Sequence, residues 1–394
     1  MPDQGVLKPG WKVWRFDQIA TNVNVRIDNP SESGMEHYVG LEHLDPDSLR
    51  IRRWGSPDDV EATKLCFKSG DIIFGRRRAY QRKLGVAEFD GICSAHAMVL
   101  RAKPEVVLPQ FLPFFMQSDL FMSRAVEISV GSLSPTINWK TMAVQEFALP
   151  PMKEQRTIVE LLEQFDAQTE CYCDALIASS RLRASIGHTE FIESRLPAVS
   201  LGQLCEKNGI QIGPFGAQLH SYDYVMDGIP VVMPADMTNG NVVLDRIARV
   251  SEAKATDLQQ HKIRQGDILL PRRGELDRRA WVSETENGWL CGTGSIRIRV
   301  AKGIIPKGVY YALSLPATIN WLKANAVGTT MPNLNSKIVS SIPIKLPCPE
   351  RINAVVTALD DLDSSERALM KRQQTASRLR TTILNRLFVG RDDV

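Results

Sequence analysis

The sequence lacks the features that mark several large classes of protein. No apolar run approaches the roughly 18 to 20 residues that a membrane span requires, so no membrane contact is predicted. The start has no apolar stretch flanked by positive charge, so we expect no secretory signal. The seven cysteines are odd in number and scattered, without the paired spacing of zinc ligands. These absences favour a reduced, cytoplasmic protein without a metal site.

Motifs of common enzyme classes are also missing. There is no glycine-rich loop ending in Gly-Lys-Ser or Gly-Lys-Thr, which nucleotide-hydrolysing enzymes use to hold phosphate. The Gly-rich turn of S-adenosylmethionine-binding proteins and the Asn/Asp-Pro-Pro-aromatic motif of amino-methyltransferases do not occur, and the six histidines stand singly. We therefore predict a non-catalytic chain without its own cofactor. A divergent endonuclease stays an alternative, because scattered carboxylates can form a metal site without a motif.

Positive charge is concentrated in two short segments, although the formal net charge is only +3. The first basic segment, 76–83, contains Arg76, Arg77, Arg78, Tyr80, Arg82 and Lys83, and the second basic segment, 272–279, contains Arg272, Arg273, Arg278 and Arg279. Such clusters supply the local positive potential that phosphate binding requires. Solvated hairpin tips have a similar composition, so both interpretations stay open at this point.

The chain contains an internal duplication. Gly-Asp-Ile-Ile at 70–73 recurs as Gly-Asp-Ile-Leu at 266–269, and arginines follow both copies. The first loop, Gly-Ser-Leu-Ser-Pro-Thr-Ile-Asn-Trp-Lys at 131–140, corresponds to the second loop, Gly-Thr-Thr-Met-Pro-Asn-Leu-Asn-Ser-Lys at 328–337. The offset is about half of the 394 residues. Two copies of one structural unit are therefore predicted.

Each copy begins with a turn-rich region and ends with a long helical pattern. In the first copy, short apolar runs predict strands at 38–41, 71–74, 86–89 and 97–100, and a helix near 112–118. Such a mixture predicts a mixed α/β domain rather than an alternating parallel α/β fold. Apolar residues at three- and four-residue spacing then predict long helices over about 154–196 and 351–388.

The charges along the two predicted helices have the same polarity. Both helices are acidic early and basic late, which suits the dipole of each helix. If the helices run in opposite directions, each acidic start meets the basic end of the other helix. We therefore expect antiparallel pairing. The alternative is two independent amphipathic helices, each packed on its own domain.

The motifs of this chain resemble the specificity subunits of type I restriction-modification enzymes over almost the whole length. The resemblance rests on Tyr-Val-Gly-Leu-Glu-His at 38–43, on the repeated Gly-Asp-Ile segments and loops, and on Leu-Pro-Pro-x-x-Glu-Gln-x-x-Ile at 149–158. The last of these is the most specific. The second copy departs from it, because Pro-Glu-Arg-Ile at 349–352 lacks the Glu-Gln pair. Symmetric roles for Glu154 and Gln155 are therefore not expected.

The resemblance implies a fold and a set of partners. Target-recognition domains at 1–150 and 196–348 would each contact one half of a split site in double-stranded DNA. Spacer helices at 151–195 and 349–390 would form an antiparallel coiled coil with pseudo-twofold symmetry and dock two methyltransferase subunits. Those subunits would bind S-adenosylmethionine and methylate adenine. Motor and endonuclease subunits, which use ATP and Mg²⁺, would complete the complex.

Candidate DNA-binding residues come from the two basic segments and the two loops. The loop candidates are Ser132, Thr136, Asn138 and Lys140 in the first copy, and Thr329, Thr330, Asn333, Asn335 and Lys337 in the second. Arginine and lysine would contact phosphate, while polar loop residues would contact base edges. In the alternative interpretation the glycines and prolines only shape a turn that Asn138 and Asn335 cap. A protein-binding scaffold, in which the domains hold proteins instead of DNA, is a further alternative.

Overall fold

The chain folds into two compact mixed α/β units. A computed structural model describes residues 6–328 and 332–389. The first unit consists of Met1–Asp174 and Met370–Val394, and the second unit consists of Ala175–Leu369. These boundaries fall inside the helices Met152–Gly187 and Ile352–Leu387, so each of these helices is shared between the units. Among the described residues, no helix has the length and apolar character to cross a membrane.

Two four-stranded sheets and a two-stranded ribbon build the first unit. The antiparallel sheet has the order Ala20–Val23, Ala97–Ala102, Ile72–Gly75, Leu84–Val86. The mixed sheet has the order Arg26–Ile27, Lys64–Phe67, Gly91–Cys93, Tyr38–Val39. Lys12–Arg15 and Glu146–Leu149 form the ribbon. The helices of this part are Phe16–Ile19, Phe111–Gln117, Asp119–Glu127 and Trp139–Ala143.

The second unit repeats this plan. Its antiparallel sheet has the order Cys205–Ile212, Ser295–Val300, Ile268–Pro271, Ala280–Trp281. A mixed sheet has the order Tyr224–Val225, Ala248–Val250, Ile229–Val232, Leu290–Cys291. Two-stranded ribbons join Val199–Ser200 to Pro343–Ile344 and Met237–Thr238 to Asn241–Val242. The helices are Glu252–Asp257, Pro306–Leu313, Pro316–Asn325 and Ser336–Ser340.

The repeated Gly-Asp sequence has a structural role in both units. Asp71 and Asp267, each 1% exposed, stand directly before the central strand of the antiparallel sheet. Asp71 accepts two hydrogen bonds from Arg101 at 2.7 and 2.9 Å, and Asp267 accepts two from Arg299 at 2.8 and 2.7 Å. The preceding glycines have φ of +89° and +88°, a region that favours glycine. The motif therefore ties the central strand to its neighbour.

Replacing Asp267 with alanine is expected to lower the free energy of unfolding by about 3 kcal/mol, because it leaves a guanidinium without its carboxylate. Asp71→Ala is expected to cost less, since the Arg101 side chain is 50% exposed and that of Arg299 is 16% exposed. Urea unfolding of both variants measures the difference. The exposed Asp58 supplies a neutral control as Asp58→Ala. Equal losses of unfolding free energy in the two variants would show that the cost of removing the carboxylate does not depend on the solvent exposure of its arginine.

One predicted strand of the first unit is displaced. The sequence predicts a strand at 86–89 with Gly85 as a break, but the strand is Leu84–Val86 and contains that glycine. A Cβ atom at Gly85 would lie 2.8 Å from the Ile51 side chain and 2.9 Å from that of Leu44. Gly85 therefore permits close packing inside the strand instead of ending it.

Two helices of 36 residues each, Met152–Gly187 and Ile352–Leu387, are the longest elements and are called the first and second long helix. The first long helix ends before the predicted residue 196. A π-helical turn, His188–Ile192, follows and carries Phe191 into the core of the second unit, where it is 0% exposed. The chain after residue 187 therefore packs into the globular part of the second unit instead of extending the regular helix.

In the first unit, the early part of the first long helix contacts the late part of the second. Arg380 donates a hydrogen bond to Asp166 at 2.5 Å and another to Gln117 of the globular part at 2.8 Å. Leu384 and Phe388, 2% and 1% exposed, join the main core of this unit. The end of the second long helix is thus integrated into the first globular part.

In the second unit the contacting parts are reversed. Arg183, late in the first long helix, pairs with Asp363 and, at 2.8 Å, with Glu366, both early in the second. The Ser179 hydroxyl also donates to Glu366 at 2.7 Å. Basic and acidic ends of the two helices therefore neutralise each other within this unit.

The Glu-Gln pair of the first copy fastens the start of the first long helix. Gln155 is 1% exposed; its side chain accepts from the Leu108 N–H at 2.9 Å and donates to the carbonyls of Pro150 at 3.0 Å and Val106 at 3.2 Å. In the second copy, Ile352 is 7% exposed near the start of the helix and packs as an apolar residue. The Trp11 ring nitrogen also donates to Glu154 at 3.2 Å. Glu154 and Gln155 therefore stabilise the start of the helix in the first unit, and the second copy lacks both residues.

Candidate nucleic-acid interface

The first basic segment and the first loop lie against each other. Arg77 and Thr136 form an antiparallel backbone bridge, and the Arg78 N–H donates to the Pro135 carbonyl at 2.7 Å. The segment follows the central strand Ile72–Gly75 directly. The fold therefore joins two sequence-predicted elements, 50 to 60 residues apart in the chain, into one surface at the end of this strand.

Three arginines give this surface its charge. The Arg77 guanidinium lies 3.0 Å from His96 Nε2, and Arg78 donates to Ser134 Oγ at 3.1 and 3.2 Å. Arg76 donates to a backbone carbonyl at 3.0 Å. Among residues 6–328 and 332–389, none of the three pairs with a carboxylate; the neighbouring ion pairs use other residues. Their positive charge is therefore available to an anionic partner.

Tyr80 is 55% exposed and lies on the 3-10 turn Ala79–Gln81. Arg78 and Arg82 flank this turn with φ of +59° and +53°. For residues with a side chain this conformation costs about 1 to 2 kcal/mol, and such strain is concentrated at functional sites. The two strained residues hold the turn so that the Tyr80 ring stands in solvent.

The side chains of Arg82 and Lys83 form hydrogen bonds and ion pairs with other residues of the first unit. Arg82 donates to Asp47 at 2.6 Å, to Asp119 at 2.9 Å and to a backbone carbonyl at 2.5 Å. Lys83 donates to the Leu41 carbonyl at 2.6 Å. These side chains hold the loops of the unit together, so we omit both residues from the surface proposed below.

The first loop combines exposed residues with a helix cap. Ser132 and Lys140 are exposed, and Leu133 is 90% exposed. The Asn138 side chain accepts from the Lys140 N–H at 3.1 Å and caps the helix Trp139–Ala143. Asn138 therefore has a structural role whether or not the loop contacts a ligand.

The second unit repeats the arrangement of basic segment and loop. The Leu334 N–H donates to the Arg272 carbonyl at 2.8 Å, and Arg273 forms a backbone bridge with Asn333. The Arg272 side chain donates to Asn333 Oδ1 at 3.2 Å and lies 6.0 Å from the ring of Phe215, which is 60% exposed. Phe215 has no counterpart in the sequence motifs and was missed by the sequence analysis.

The other predicted residues of the second unit differ in accessibility. Arg278 pairs with Glu275 at 2.6 Å. Burial lowers the pKa of the Arg279 guanidinium below its usual range, and its Nη1 donates to a backbone carbonyl. Asn335 accepts from the Ile338 N–H at 2.9 Å and caps Ser336–Ser340, whereas Lys337 is exposed. Thr329 and Thr330 lie outside the described residues.

The two caps allow a test of whether Asn138 and Asn335 do more than end a helix. Alanine at either position is expected to lower the free energy of unfolding by about 1 kcal/mol, whereas serine retains a capping oxygen and costs less. Thermal unfolding measures the cost, with Ser132→Ala as an exposed-loop control. Serine variants that keep their stability but lose DNA affinity would show that the asparagines also contact DNA.

His96 is a second residue that sequence reasoning missed. Burial, Arg77 and Arg76 lower the pKa of its ring below the usual range, which favours the neutral form. In the tautomer with an unprotonated Nε2, that nitrogen accepts from Arg77. No motif surrounds this lone histidine, so only the fold reveals its contact. Within residues 6–328 and 332–389 no group of three His, Cys, Asp or Glu is placed to hold a metal ion.

Comparison with known proteins gives a consistent result. Residues 59–172 and 198–377 match the model of the type I restriction modification DNA specificity domain. The chain is 29% identical over 169 residues to the type I restriction enzyme EcoDI specificity subunit of Escherichia coli. That alignment covers 41% of this chain and 36% of the relative, so it spans little more than a third of the relative's length.

Two solved structures share the fold over nearly the full length. A chain from a type I R-M system studied for complex assembly and conformational transition has a TM-score of 0.57 and 22% identity, and covers 99% of this chain and 100% of that one. The S subunit of a type I restriction-modification system from M. genitalium has a TM-score of 0.62 and 16% identity. The alignment covers 98% of this chain and 96% of that S subunit.

Proposed function

This chain belongs to the type I restriction-modification DNA specificity family, and we propose that it is the non-catalytic DNA-reading subunit of such a system. The observation that carries the proposal is a surface that occurs twice: a basic segment at the end of a central strand, held against a loop with Pro, Asn and Lys. Two similar but non-identical surfaces on one chain suit an asymmetric, bipartite site in double-stranded DNA. By analogy with DNA-binding proteins that place two recognition elements on one face of the duplex, the half-sites would be about one helical turn, roughly 34 Å, apart.

In the first unit we assign phosphate contacts to Arg76, Arg77 and Arg78, because their charges have no carboxylate partner among the described residues. Tyr80 and Ser132 are exposed beside them and would contact sugar or base edges. In the second unit the corresponding residues are Arg272, Arg273, Asn333 and Lys337, with Phe215 beside them.

We further propose that the long helices form an antiparallel coiled coil that relates two copies of the unit by a pseudo-twofold axis. The ion pairs of Asp166 with Arg380 and of Arg183 with Glu366 support this pairing. A residue early in the first long helix pairs with one late in the second, and a late residue pairs with an early one, as antiparallel helices require. Such a spacer would set the distance between the half-sites.

The same helices offer a surface for partner subunits. Ile177 and Leu182 of the first long helix are 50% and 51% exposed, and Met370 and Leu379 of the second are 40% and 50% exposed. Apolar side chains outside the contacts between the helices suit docking of two methyltransferase subunits. Those subunits would bring S-adenosylmethionine, and motor subunits would bring ATP and Mg²⁺; we propose none of these cofactors for this chain. Acting on DNA, the complex would work in the cytoplasm.

Methylome sequencing of cells that carry this chain with its cognate methyltransferase tests the proposal. We expect one bipartite motif with two defined halves and an unspecific gap. Cells with the methyltransferase alone are the control and should lack the motif. Modification at no motif, or at the same motif without this chain, would contradict the proposed role. Mg²⁺-dependent cleavage of DNA by the purified chain would instead favour the endonuclease alternative.

A swap of residues 1–150 with those of a relative tests whether the two units are separate readers. The expected result is a new first half of the methylated motif with an unchanged second half, because each unit has its own core and its own basic surface. The reciprocal swap of 196–348 is the matched experiment. A change in both halves after one swap would rule out independent reading.

A further inference from the structure

A basic cavity of about 670 Å³ lies in the second unit, away from the second basic segment. Its charged lining residues are Glu206, Lys207, Lys262, Arg264, Arg297 and Arg299. The central strand Ile268–Pro271 follows Arg264 and leads into Arg272. The cavity and the proposed DNA surface are therefore at opposite ends of this strand.

Arg297 is the buried cation of the cavity, with 5% exposure. Its guanidinium donates to the carbonyls of Gln260 at 2.9 Å, Lys262 at 3.3 Å and Asn208 at 3.3 Å. The Nε–H is buried and has no partner among the described residues. This nitrogen is out of contact with solvent, so it offers no contact to the cavity itself. Among the described residues, however, Arg297 has no carboxylate at ion-pair distance, and a buried charge without such a partner is costly. The unpaired charge favours an anion in the cavity.

The other basic residues of the lining add to the positive charge of the cavity. Arg299 is already paired with Asp267 at 2.7 Å. Lys207 and Arg264 are exposed and Lys262 is half-buried, and in residues 6–328 and 332–389 none of the three has an ion pair. Of the described residues that line the cavity, Glu206 is the one with a carboxylate. The cavity therefore keeps a clear excess of positive charge.

The first unit shows that the fold does not need this arginine. In the antiparallel sheet, Arg297 is opposite Leu269 of the central strand, and Val99 is opposite Ile73 at the corresponding place in the first unit. Val99 is 0% exposed. An apolar side chain satisfies this position at lower cost than a buried guanidinium. The arginine and its three carbonyl contacts are therefore a feature of the second unit that the fold of the first unit does without.

We propose that this cavity binds a small phosphate-bearing anion, either inorganic phosphate or the phosphate groups of a nucleotide. The positive charge of the buried guanidinium and the ammonium groups of Lys207 and Lys262 at the rim favour the several anionic oxygens of a phosphate. The volume accommodates either source. This site goes beyond the proposed function, because it holds a small ligand rather than duplex DNA and is independent of base reading.

Isothermal titration of the purified full-length chain with inorganic phosphate and, separately, with ATP tests the site at constant ionic strength. We expect saturable binding of one anion per chain, weakened about tenfold or more in Lys262→Gln and in Arg297→Gln, since each removes a positive charge from the lining. Arg246→Gln is the matched control, because Arg246 is an exposed arginine of the same unit that does not line the cavity. It should bind as the unchanged chain does.

The outcomes separate the sources and the alternatives. Tighter binding of ATP would identify a nucleotide site, and equal or tighter binding of phosphate would identify a phosphate site; both support the proposal. Absence of saturable binding, or equal weakening in Lys262→Gln and Arg246→Gln, would overturn it. If Arg297→Gln does not fold, Lys262→Gln carries the test. A parallel titration with duplex DNA keeps the two proposals apart: if Lys262→Gln lowered only DNA affinity, the cavity would belong to the DNA surface and the anion site would be refuted.

Discussion

Replacing Arg76, Arg77 and Arg78 together with glutamine is expected to lower the affinity for duplex DNA about 100- to 1,000-fold at physiological salt. Each phosphate contact releases roughly 0.9 counterion, so the loss of three contacts also reduces the slope of log affinity against log salt by about 2 to 3. Fluorescence anisotropy with a DNA duplex between about 50 and 200 mM salt measures both quantities. The methyltransferase complex is the form to use.

Arg82→Gln provides the discriminating control for this triple variant. Arg82 belongs to the same basic segment, but Asp47 and Asp119 hold its guanidinium. We expect a loss of stability without a change in the salt slope. A triple variant that retains full DNA affinity would contradict the assignment of phosphate contacts. If that variant lost binding to a protein partner instead, the scaffold alternative would be favoured.

Inserting four helix-forming residues into each long helix is expected to lengthen the gap between the two half-sites by one to two base pairs. Four residues add about 6 Å, and the rise of B-DNA is about 3.4 Å per pair. The insertion also turns each helix by about 40° beyond one full turn, which accounts for the range. The best positions lie between Cys173 and Ser179 and between Glu366 and Gln373. There the contacts made within each unit stay intact on both sides.

The control is the same insertion in only one helix. It leaves four residues without a partner and moves the contacts of Arg183 or Arg380 out of register, so we expect loss of stability and of methylation. Methylome sequencing gives the motif of each active variant. An active double insertion with unchanged half-sites and an unchanged gap would show that the helices do not set the spacing.

Several features of the fold can be predicted from the sequence without knowledge of any tertiary contact. The duplication, the mixed α/β composition and the two long helices depend on residue spacing over a few turns or on direct repetition, and the helices begin within a few residues of the predicted starts. Their shared charge polarity is likewise a property of the sequence. The displaced strand at Leu84–Val86 shows the limit of such patterns, because Gly85 is placed by packing against Ile51.

The accessibility of individual charges was decided only by the tertiary structure. Arg78 and Arg82 are equivalent in a sequence pattern. Within the described part of the chain, however, Arg78 has no carboxylate partner, while Arg82 is held by residues 35 and 37 positions away. Arg297 is one arginine in a strand of alternating residues, and only the pairing of strands puts it at the position of Val99. Charge and periodicity are local quantities, so the sequence determined the elements and their repetition. Burial and partners depend on long-range contacts, so only the folded chain determined which of the described cations are paired inside the protein and which are not.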